Sequence, residues 1–521
     1  MARRASQPKE AITGRQQASK RLRCLGSGHG SESVMVEPKR ILVRSGKAPE
    51  QVLSPEAAFA YTDLGVYARN SGNAIFTSAV YRLLNTPEAE VVSDGWTTER
   101  PGVTDAHIDR INNEFDALVL PMSNSLRMRF TAGRARLTKV IRKLKIPVVV
   151  VGVGSQLSVR GDWHWISDEV KQNTREFVAA VLDHSASIGV RGEITRDYLL
   201  HLGFADSDVD VIGCPSMYDN GRDAIVTRKV DSLTPDSPIA VNVDYRVAGL
   251  DRVLTENQDR YPNLTLISQD QQEAALLLWG KPIDGYPKTL PGTVDHPLYQ
   301  QDRIRFFPDP IVWRRFLATK DFSLGSRLHG TLAALSAGTP AFLTVHDSRT
   351  LEVAKFHGIP FRLAKDISGS WDAARFYDEL DLAPLNRVRA ENFDRYVAFI
   401  ERNGLGHIYQ PGKANPEYEA VLEAAPHPDG FGPLTAAAPE QLASRLCWLW
   451  QGTESDRTRL EAAHRPDFFP NTDQPSSLDS QLKSLEKRLA VLEGGVWASI
   501  RRRIDRGLRT LAGKVGITRG K

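Results

Sequence analysis

The chain contains little cysteine and no long apolar run, and each shortage excludes a class of protein. Only three of its 521 residues are cysteines, Cys24, Cys214 and Cys447, and they lie far apart. Because there is no CxxC pair, neither a zinc site nor a disulfide framework is expected, and a reducing compartment fits. No apolar stretch is long enough to span a bilayer, and the basic N-terminus lacks the apolar core of a secretory signal. We therefore expect a cytoplasmic protein.

Two nucleotide-binding motifs are also missing. The turn at 325–331 has two spaced glycines, but Thr331 stands where a P-loop requires lysine. The turn that begins at Gly152 lacks the third glycine of a dinucleotide fingerprint, because Leu157 occupies that place. Neither ATP nor NAD is expected, and the sequence predicts no cofactor.

The net charge of +4 is unevenly distributed along the chain. Residues 1–50 carry eleven Lys and Arg against four acidic residues, and residues 494–521 carry eight against one. Each end therefore has a charge of +7, and the body between them has a charge of −10. An acidic body argues against nucleic acid as a partner and leaves contact with polyanions or membranes to the ends.

Short apolar runs alternate with helical periods over 55–220 and again from 239. This alternation predicts an α/β protein with parallel, doubly wound sheets. The polar stretch 221–238 predicts a linker, so we expect two Rossmann-like domains facing a cleft, an arrangement similar to GT-B glycosyl-transferring scaffolds. The predicted strands are 115–120, 147–151, 186–190, 209–212, 239–243, 264–268, 304–307, 321–324 and 340–345. The predicted helices are 74–84, 134–144, 168–182, 194–202, 271–278, 310–319, 332–337 and 387–403, the last folding back across both halves.

The expected boundaries divide the chain into five parts. They are a disordered basic arm at 1–50, an acceptor-side α/β domain at 51–225, a donor-side α/β domain at 236–405, a helical and loop extension at 406–477, and a tail at 478–521. In the tail, leucines spaced 4-3-4-3 over 478–492 predict a short coiled coil and a homo-oligomer. Residues 494–521 form a basic amphipathic pattern with Trp497, which suits an anionic membrane surface. The alternative is a solvated helix that packs on the body.

The turn Gly-Ser-Arg-Leu-His-Gly-Thr at 325–331 lies between a predicted strand and a predicted helix. In a parallel sheet such a turn lies at the carboxyl edge, where ligands bind. Arg327 can grip a carboxylate or phosphate through two hydrogen bonds, and His329 can carry a proton near neutral pH. An anion holder and a proton carrier in one turn indicate an enzyme.

Several segments resemble the polysaccharide pyruvyl transferase family, whose members are GT-B-like. The strongest match is 322–330 with its continuation through 333–340, 346–352 and 358–360; 187–193 is a second match and 72–75 a weaker one. Together they extend over roughly 60–405. Two segments depart from the family pattern: Gly72-Asn73 replaces a Gly-Asp pair, and Pro121-Met122-Ser123-Asn124 replaces a glycine-rich turn.

The resemblance implies transfer of the pyruvyl group of phosphoenolpyruvate to two hydroxyls of a sugar, forming a cyclic ketal. The acceptor would belong to an exopolysaccharide or a lipid-linked precursor, which places the enzyme in the cytoplasm or peripherally at the inner face of the plasma membrane. No metal is expected, because cationic side chains can balance the donor charge.

The site residues expected from this chemistry fall into two groups. His329 is the expected general acid and base, with Arg327 as its catalytic partner. The donor anion is expected to contact Arg191, Arg327, Ser326, Gly330 and Arg349. The acceptor is expected to contact Asn73, Asn124, Ser155 and Gln156. Local alternatives remain: Arg327 and His329 forming a structural salt bridge and cap, Arg191 pairing with Glu193 or Asp197, Arg349 pairing with Asp347, and Asn73 serving as a helix N-cap.

Two rival functions remain open at the level of sequence. One is a glycosyltransferase that uses a nucleotide sugar on the same scaffold. The other is a non-catalytic polysaccharide-assembly scaffold that recruits partners through the tail. The first predicts binding of UDP- or GDP-sugars, and the second predicts that the protein loses its role when 478–521 are removed.

Overall fold

The computed structural model of the chain describes residues 40–61 and 64–451. Within these ranges the strands are β1 Arg40–Val43, β2 Glu90–Ser93, β3 Ala117–Pro121, β4 Val148–Val151, β5 Ile188–Val190, β6 Val209–Val211, β7 Ile239–Asn242, β8 Thr265–Ser268, β9 Ile304–Phe306, β10 Phe322–Gly325, β11 Ala341–Val345 and β12 Phe361–Leu363. The α-helices are Pro55–Ala60, Gly72–Leu84, Asp105–Glu114, Thr131–Ile141, Asp168–Leu182, Glu193–His201, Arg252–Thr255, Gln271–Trp279, Pro297–Gln300, Pro310–Ala318, Leu328–Ser336, Ser348–His357, Ala373–Asp378, Ala383–Arg402, Pro416–Ala424 and Pro439–Gln451. Short 3₁₀ turns occur at Met128–Phe130, Asp206–Asp208, Pro215–Met217, Ala364–Asp366 and Leu434–Ala436.

The first sheet has the strand order β2-β1-β3-β4 and is parallel throughout. The parallel pair β5-β6 continues it through a bridge between Val153 and Val190. β3 and β4 are buried along their whole length, as expected for a parallel sheet covered by helices on both faces.

The second sheet has the order β12-β11-β10-β7-β8-β9, again all parallel. Counted from β7, this is the 3-2-1-4-5-6 order of a doubly wound dinucleotide-binding sheet. The order reverses between β7 and β10, so the crevice where such sheets bind ligands opens between the ends of these two strands. Two parallel doubly wound sheets confirm the predicted α/β, GT-B-like architecture.

Two segments cross between the domains and are bonded to each other. The first is the irregular stretch between β6 and β7, and the second is the helix Ala383–Arg402. Along this helix Asn392 Nδ2 donates to Phe356 O of the second domain, and beyond its end Asn403 Oδ1 accepts from Ala186 N of the first. This confirms that the long helix folds back across both halves. Asn386 Nδ2 also donates to Val226 O at 2.9 Å, which ties the two crossings together.

Residues 40–50 correct one expectation, because they belong to the fold rather than to a disordered arm. Arg40–Val43 pairs with β2 on one side and β3 on the other, and Leu42 and Val43 are fully buried. Lys47 Nζ donates to Gln51 O and to Asp309 Oδ2, both at under 3 Å. The strand is stabilised by pairing with β2 and β3, which are distant in sequence. Its four residues follow a charged stretch and show no local sign of that pairing.

The remaining end segments, 1–39 and 452–521, lie outside the described residues. The predicted coiled coil at 478–492 and basic helix at 494–521 therefore stay predictions, as does the part of the extension beyond 451. Within the described ranges no helix combines the length and apolarity needed to cross a bilayer.

Candidate active site

The turn 325–331 lies at the switch point of the second sheet, where its backbone is bonded to the end of β7. Asn242 Oδ1 accepts from Arg327 N at 2.8 Å, and Asn242 O accepts from Ser326 N at 3.0 Å. A Cβ on Gly325 or Gly330 would collide with the Asn242 side chain. The two glycines therefore allow the turn to press against β7, and this contact fixes where the helix Leu328–Ser336 begins.

Arg327 is bound inside the protein rather than directed at an open space. Its Nη1 and Nη2 donate to the two carboxylate oxygens of Asp270 at 2.7 and 2.8 Å, and the residue is 6% exposed. Burial raises the pKa of Asp270, but the Arg327 charge and hydrogen bonds outweigh it and hold that pKa below its usual value. Arg327 remains a predicted donor contact, but in this structure its fork is occupied by Asp270.

Asp270→Asn is expected to destabilise the protein strongly, because it leaves the buried Arg327 without a carboxylate partner. Removing one member of a buried pair costs about 3–5 kcal/mol. The matched control is Glu391→Gln, which removes an exposed helical pair with Arg395; such pairs contribute below about 1 kcal/mol. Urea unfolding measures both variants, and equal losses of unfolding free energy would contradict the assigned burial.

The same carboxylate joins the two domains beside the turn. Asn70 Nδ2 donates to Asp270 Oδ1 at 3.0 Å, Ser71 N donates to Gln269 O, and Gln271 N donates to Arg69 O. These bonds form a short antiparallel bridge between the segment that leads into the helix Gly72–Leu84 and the end of β8. The bridge sets the helix Gly72–Leu84 against the turn 325–331 of the other domain.

The His329 side chain is buried beside this bridge between the two domains. A Cβ on Gly72 would lie 2.5 Å from His329 Nδ1, so only glycine leaves room for the imidazole there. His329 is 9% exposed, and its buried Nε2 has no hydrogen-bond partner among the described residues. Burial, with the nearby charges of Arg191, Arg349 and Arg327, holds the pKa of His329 well below its usual value. The imidazole is therefore neutral at pH 7.

Arg191 reaches the same region from the first domain. It follows β5, is fully buried, donates from Nε to Gly152 O at 2.8 Å and lies over the Phe76 ring at 4.7 Å. Neither Nη1 nor Nη2 has a hydrogen-bond partner in the described part of the chain. The alternative partners Glu193 and Asp197 instead bond to Arg196. A buried guanidinium with two unengaged nitrogens offers the donors that a carboxylate or phosphate accepts from, and contact of Arg191 with a donor stays a prediction.

Arg349 pairs with Asp347, the local alternative that the sequence left open, and its contact with a donor stays a prediction. Its Nη2 lies 3.3 Å from Asp347 Oδ2, whereas its buried Nε has no partner among the described residues. Its charge lowers the pKa values of His329, His346 and Arg191, so it lies near all three.

Two further arginines at this site were not predicted. Burial and the charges of Arg349, Arg129 and Arg246 lower the pKa of Arg127 to about 10, and no carboxylate within the described ranges pairs with it. Arg246 is bonded to Asp244 at 2.7 Å and lies 3.4 Å from Asp270. The site therefore has an excess of positive charge, contributed by Arg127 and Arg191.

Helix Leu328–Ser336 directs its N-terminus into this cationic region. Its N-cap residue, Arg327, makes no capping hydrogen bond with its side chain. Ser326 Oγ accepts from Asp244 N at 2.7 Å, so this hydroxyl holds the neighbouring loop. Uncapped amides at a helix N-terminus favour an anion, which agrees with the role expected at Gly330.

Of the four expected acceptor residues, Gln156 bonds to Asn124 and to the second domain, whereas Asn73 and Ser155 bond within the first domain. Asn73 Nδ2 donates to Tyr67 O and Ala68 O and so holds the turn before its helix, while Ser71 is the N-cap. Asn124 Nδ2 donates to Gln156 Oε1, and Gln156 Nε2 contacts Asp347 Oδ2 at 3.4 Å. The Ser155 hydroxyl lies 3.1 Å from the Thr195 hydroxyl. Their contact with an acceptor stays a prediction.

Glu352 is a buried carboxyl that the sequence did not single out. Its oxygens accept from Thr195 N and Thr195 Oγ1 of the other domain, both at 2.9 Å. Burial raises the pKa of Glu352 to about 8. A Cβ on Gly154 would lie 3.3 Å from Arg191 Cδ and 3.4 Å from Glu352 Oε1, so this glycine separates the two groups. Within the described residues, no group of three or more His, Cys, Asp or Glu side chains could hold a metal ion.

Fold and site together define a two-domain α/β scaffold of the GT-B-like class, with arginines of both domains meeting between them. The family model described as "Polysaccharide pyruvyl transferase" matches residues 70–348, which include both sides of this site. The chain belongs to the polysaccharide pyruvyl transferase family and is a transferase of polysaccharide biosynthesis.

Several solved structures are similar to this chain at low identity. They include S. aureus MnaA with UDP (14% identity, 76% of this chain and 100% of that chain, TM-score 0.33). A putative UDP-N-acetylglucosamine 2-epimerase from Listeria monocytogenes matches at 12% identity over 75% of this chain and 99% of that one, with a TM-score of 0.36. Anabaena Alr3699/HepE with UDP and glucose matches at 11% identity over 74% and 100%, with a TM-score of 0.33. No curated protein matches the chain in sequence.

Proposed function

We propose that the enzyme transfers the pyruvyl group of phosphoenolpyruvate to two hydroxyls of one sugar residue and forms a cyclic ketal. The observation that supports this most directly is the buried Arg191, whose two terminal nitrogens are unengaged beside the neutral His329. An anionic donor would supply the missing partner. Phosphoenolpyruvate carries a carboxylate and a phosphate, so it needs several cationic contacts at once.

The positions of the arginines suggest which residues bind the carboxylate of the donor and which bind its phosphate. Arg191 and Arg349 are proposed to hold the carboxylate, because a guanidinium fork matches its geometry. The phosphate is proposed to lie at the N-terminus of Leu328–Ser336, near Gly330 and the side chain of Arg127. Arg327, whose Nη1 and Nη2 both donate to Asp270, is proposed to orient the turn and to act on the donor through its charge.

His329 is proposed to move the first proton. Because its pKa is held low by burial and by three arginines, the imidazole enters the reaction neutral and removes the proton of the attacking hydroxyl. The hydroxyl oxygen bonds to C2 of the donor, and the proton passes from His329 to the methylene carbon, which becomes a methyl group. Bound phosphate and carboxylate offset the arginines and raise the pKa of His329 while it holds the proton.

The acceptor is proposed to be a sugar of an exopolysaccharide or of a lipid-linked precursor, facing Asn73, Asn124, Ser155 and Gln156. We further propose a cytoplasmic enzyme that is held peripherally at the inner face of the membrane by residues 494–521, with 478–492 forming a homo-oligomer. These end segments lie outside the described residues, so their roles rest on sequence alone.

The test is ketal formation in D₂O with phosphoenolpyruvate and a panel of polysaccharide or lipid-linked acceptors. We expect phosphate release that depends on acceptor, and a ketal whose methyl group carries one deuterium, because the methylene carbon takes its third hydrogen from exchangeable protons. Calorimetric titration with UDP- and GDP-sugars serves as the comparison. Tight binding of a nucleotide sugar with no response to phosphoenolpyruvate would refute the proposal in favour of glycosyl transfer.

A further inference from the structure

A second histidine, His346, lies at the carboxyl end of β11, and the mechanism above leaves it unused. Its side chain is 7% exposed, and its Nε2 lies 3.7 Å from Asp244 Oδ2 and 3.8 Å from Asp347 Oδ2. Its Nδ1 is buried and has no hydrogen-bond partner among the described residues. One ring nitrogen thus faces two carboxylates, while the other lies near the Thr344 backbone without a well-formed hydrogen bond, an arrangement suited to carrying a proton.

The fold places His346 in the same cleft as His329. β11 pairs with β10, and β10 pairs with β7, so His346, the turn after Gly325 and Asp244 follow three adjacent strands at one edge. Gln156 of the first domain reaches Asp347, which shows that this edge faces the other domain. The charge of Arg349 acts on both histidines.

Ketal formation requires the removal of two hydroxyl protons, and His329 accounts for only one of them. Resting on the function proposed above, we propose that His346 is a second catalytic acid–base residue, which removes the proton of the second sugar hydroxyl and delivers it to the departing phosphate. In this step the second oxygen bonds to C2, and the C2–O bond to phosphate breaks with its electron pair on the phosphate. The phosphate takes up the hydroxyl proton and leaves as hydrogen phosphate.

The two histidines have different charged surroundings, as the proposed assignment of one proton transfer to each of them requires. The charged groups that face His329 are the arginines Arg191, Arg349 and Arg327. The charged groups that face His346 are Asp347, Arg349 and Asp244. Burial lowers the pKa of His346, but the two carboxylates oppose that shift. His346 is therefore better able to hold a proton until the phosphate departs.

The test is His346→Gln, assayed by rapid quench with phosphoenolpyruvate and acceptor in D₂O. Glutamine keeps an N–H group toward Asp244 and Asp347 but cannot move a proton. We expect donor binding to be retained, ketal formation to fall about 100-fold or more, and an adduct to accumulate in which one sugar oxygen and the phosphate are both bonded to C2. His329→Gln should form no such adduct, and His296→Gln, at a helix N-cap away from the cleft, should behave as wild type.

Three other results would overturn the proposal. Ketal formation by His346→Gln at the wild-type rate would remove His346 from the reaction. Loss of donor binding, or a block before the adduct, would assign it a structural role or a role in the first step. A wild-type enzyme that forms no ketal from phosphoenolpyruvate would refute the proposed function itself and with it this proposal. The first two results leave the proposed function standing, so the two failures can be told apart.

Discussion

His329→Gln is expected to lower ketal formation by about 10²–10⁴-fold, the usual contribution of a general acid–base group, with little change in phosphoenolpyruvate affinity. The reason is that His329 has a buried, unengaged Nε2, whereas the proposed contacts of the donor carboxylate are Arg191 and Arg349. Single-turnover kinetics and calorimetry separate the two effects. A parallel loss of donor binding would instead make His329 part of the anion site.

The same residue predicts a pH effect on stability. Because the pKa of His329 is held below its usual value, the unfolded chain binds a proton below pH 6.5 that the folded protein refuses. Acidification through this range therefore lowers the free energy of unfolding, by up to about 1.4 kcal/mol per pH unit for one group. His329→Gln should make that fall shallower. An unchanged slope in urea unfolding between pH 7 and 5 would contradict the assigned environment.

Arg191→Met is expected to abolish donor binding and yet to make the protein more stable. The substitution removes a buried guanidinium whose two terminal nitrogens are unengaged, and a buried unsatisfied polar group costs about 1–3 kcal/mol. Loss of the Nε bond to Gly152 O offsets part of this gain. Calorimetric titration with phosphoenolpyruvate and urea unfolding of the free protein measure the two effects, which should have opposite signs.

Arg134→Met is the matched control, because Arg134 is equally buried but fully bonded. Its guanidinium donates to Asn173 Oδ1, Ser125 O, Arg127 O and Thr131 Oγ1. Removing these donors should lower the free energy of unfolding by at least about 3 kcal/mol. Equal destabilisation by Arg191→Met would show that Arg191 has a structural partner, and unchanged donor affinity would exclude it from the anion site.

Strands and helices with strong local signals could be predicted from the sequence, and those held by distant partners could not. The helix Asp168–Leu182 has its predicted bounds because Ser167 caps it and its apolar residues recur at helical spacing. The strand β10 and the turn after it are marked by apolar residues ending at a glycine. Arg40–Val43 and Glu90–Ser93 were missed, since they pair with each other across 50 residues of sequence and Arg40–Val43 also pairs with β3.

The candidate site was predicted for its central turn but not for the partners of that turn. Arg327 bonds to Asp270, which lies 57 residues away in sequence, and His329 packs against Gly72 of the other domain. Neither contact can be predicted from the residues next to the turn. Arg246 and His346 do carry a signal, because each comes shortly after a strand of the parallel sheet and so lies at its ligand-binding edge. Reading every polar residue at those strand ends would have found both.

The two crossings between the domains have a mechanical consequence. Asn386 bonds to Val226, and Arg389 bonds to Gly221 O, so the long helix and the linker form one connected structure between the domains rather than two separate connections. Two segments that are bonded to each other resist twisting and sliding of one domain against the other better than two separate tethers do. We therefore expect motion between the domains to be restricted to few directions, which distances between spin labels on the two domains would measure.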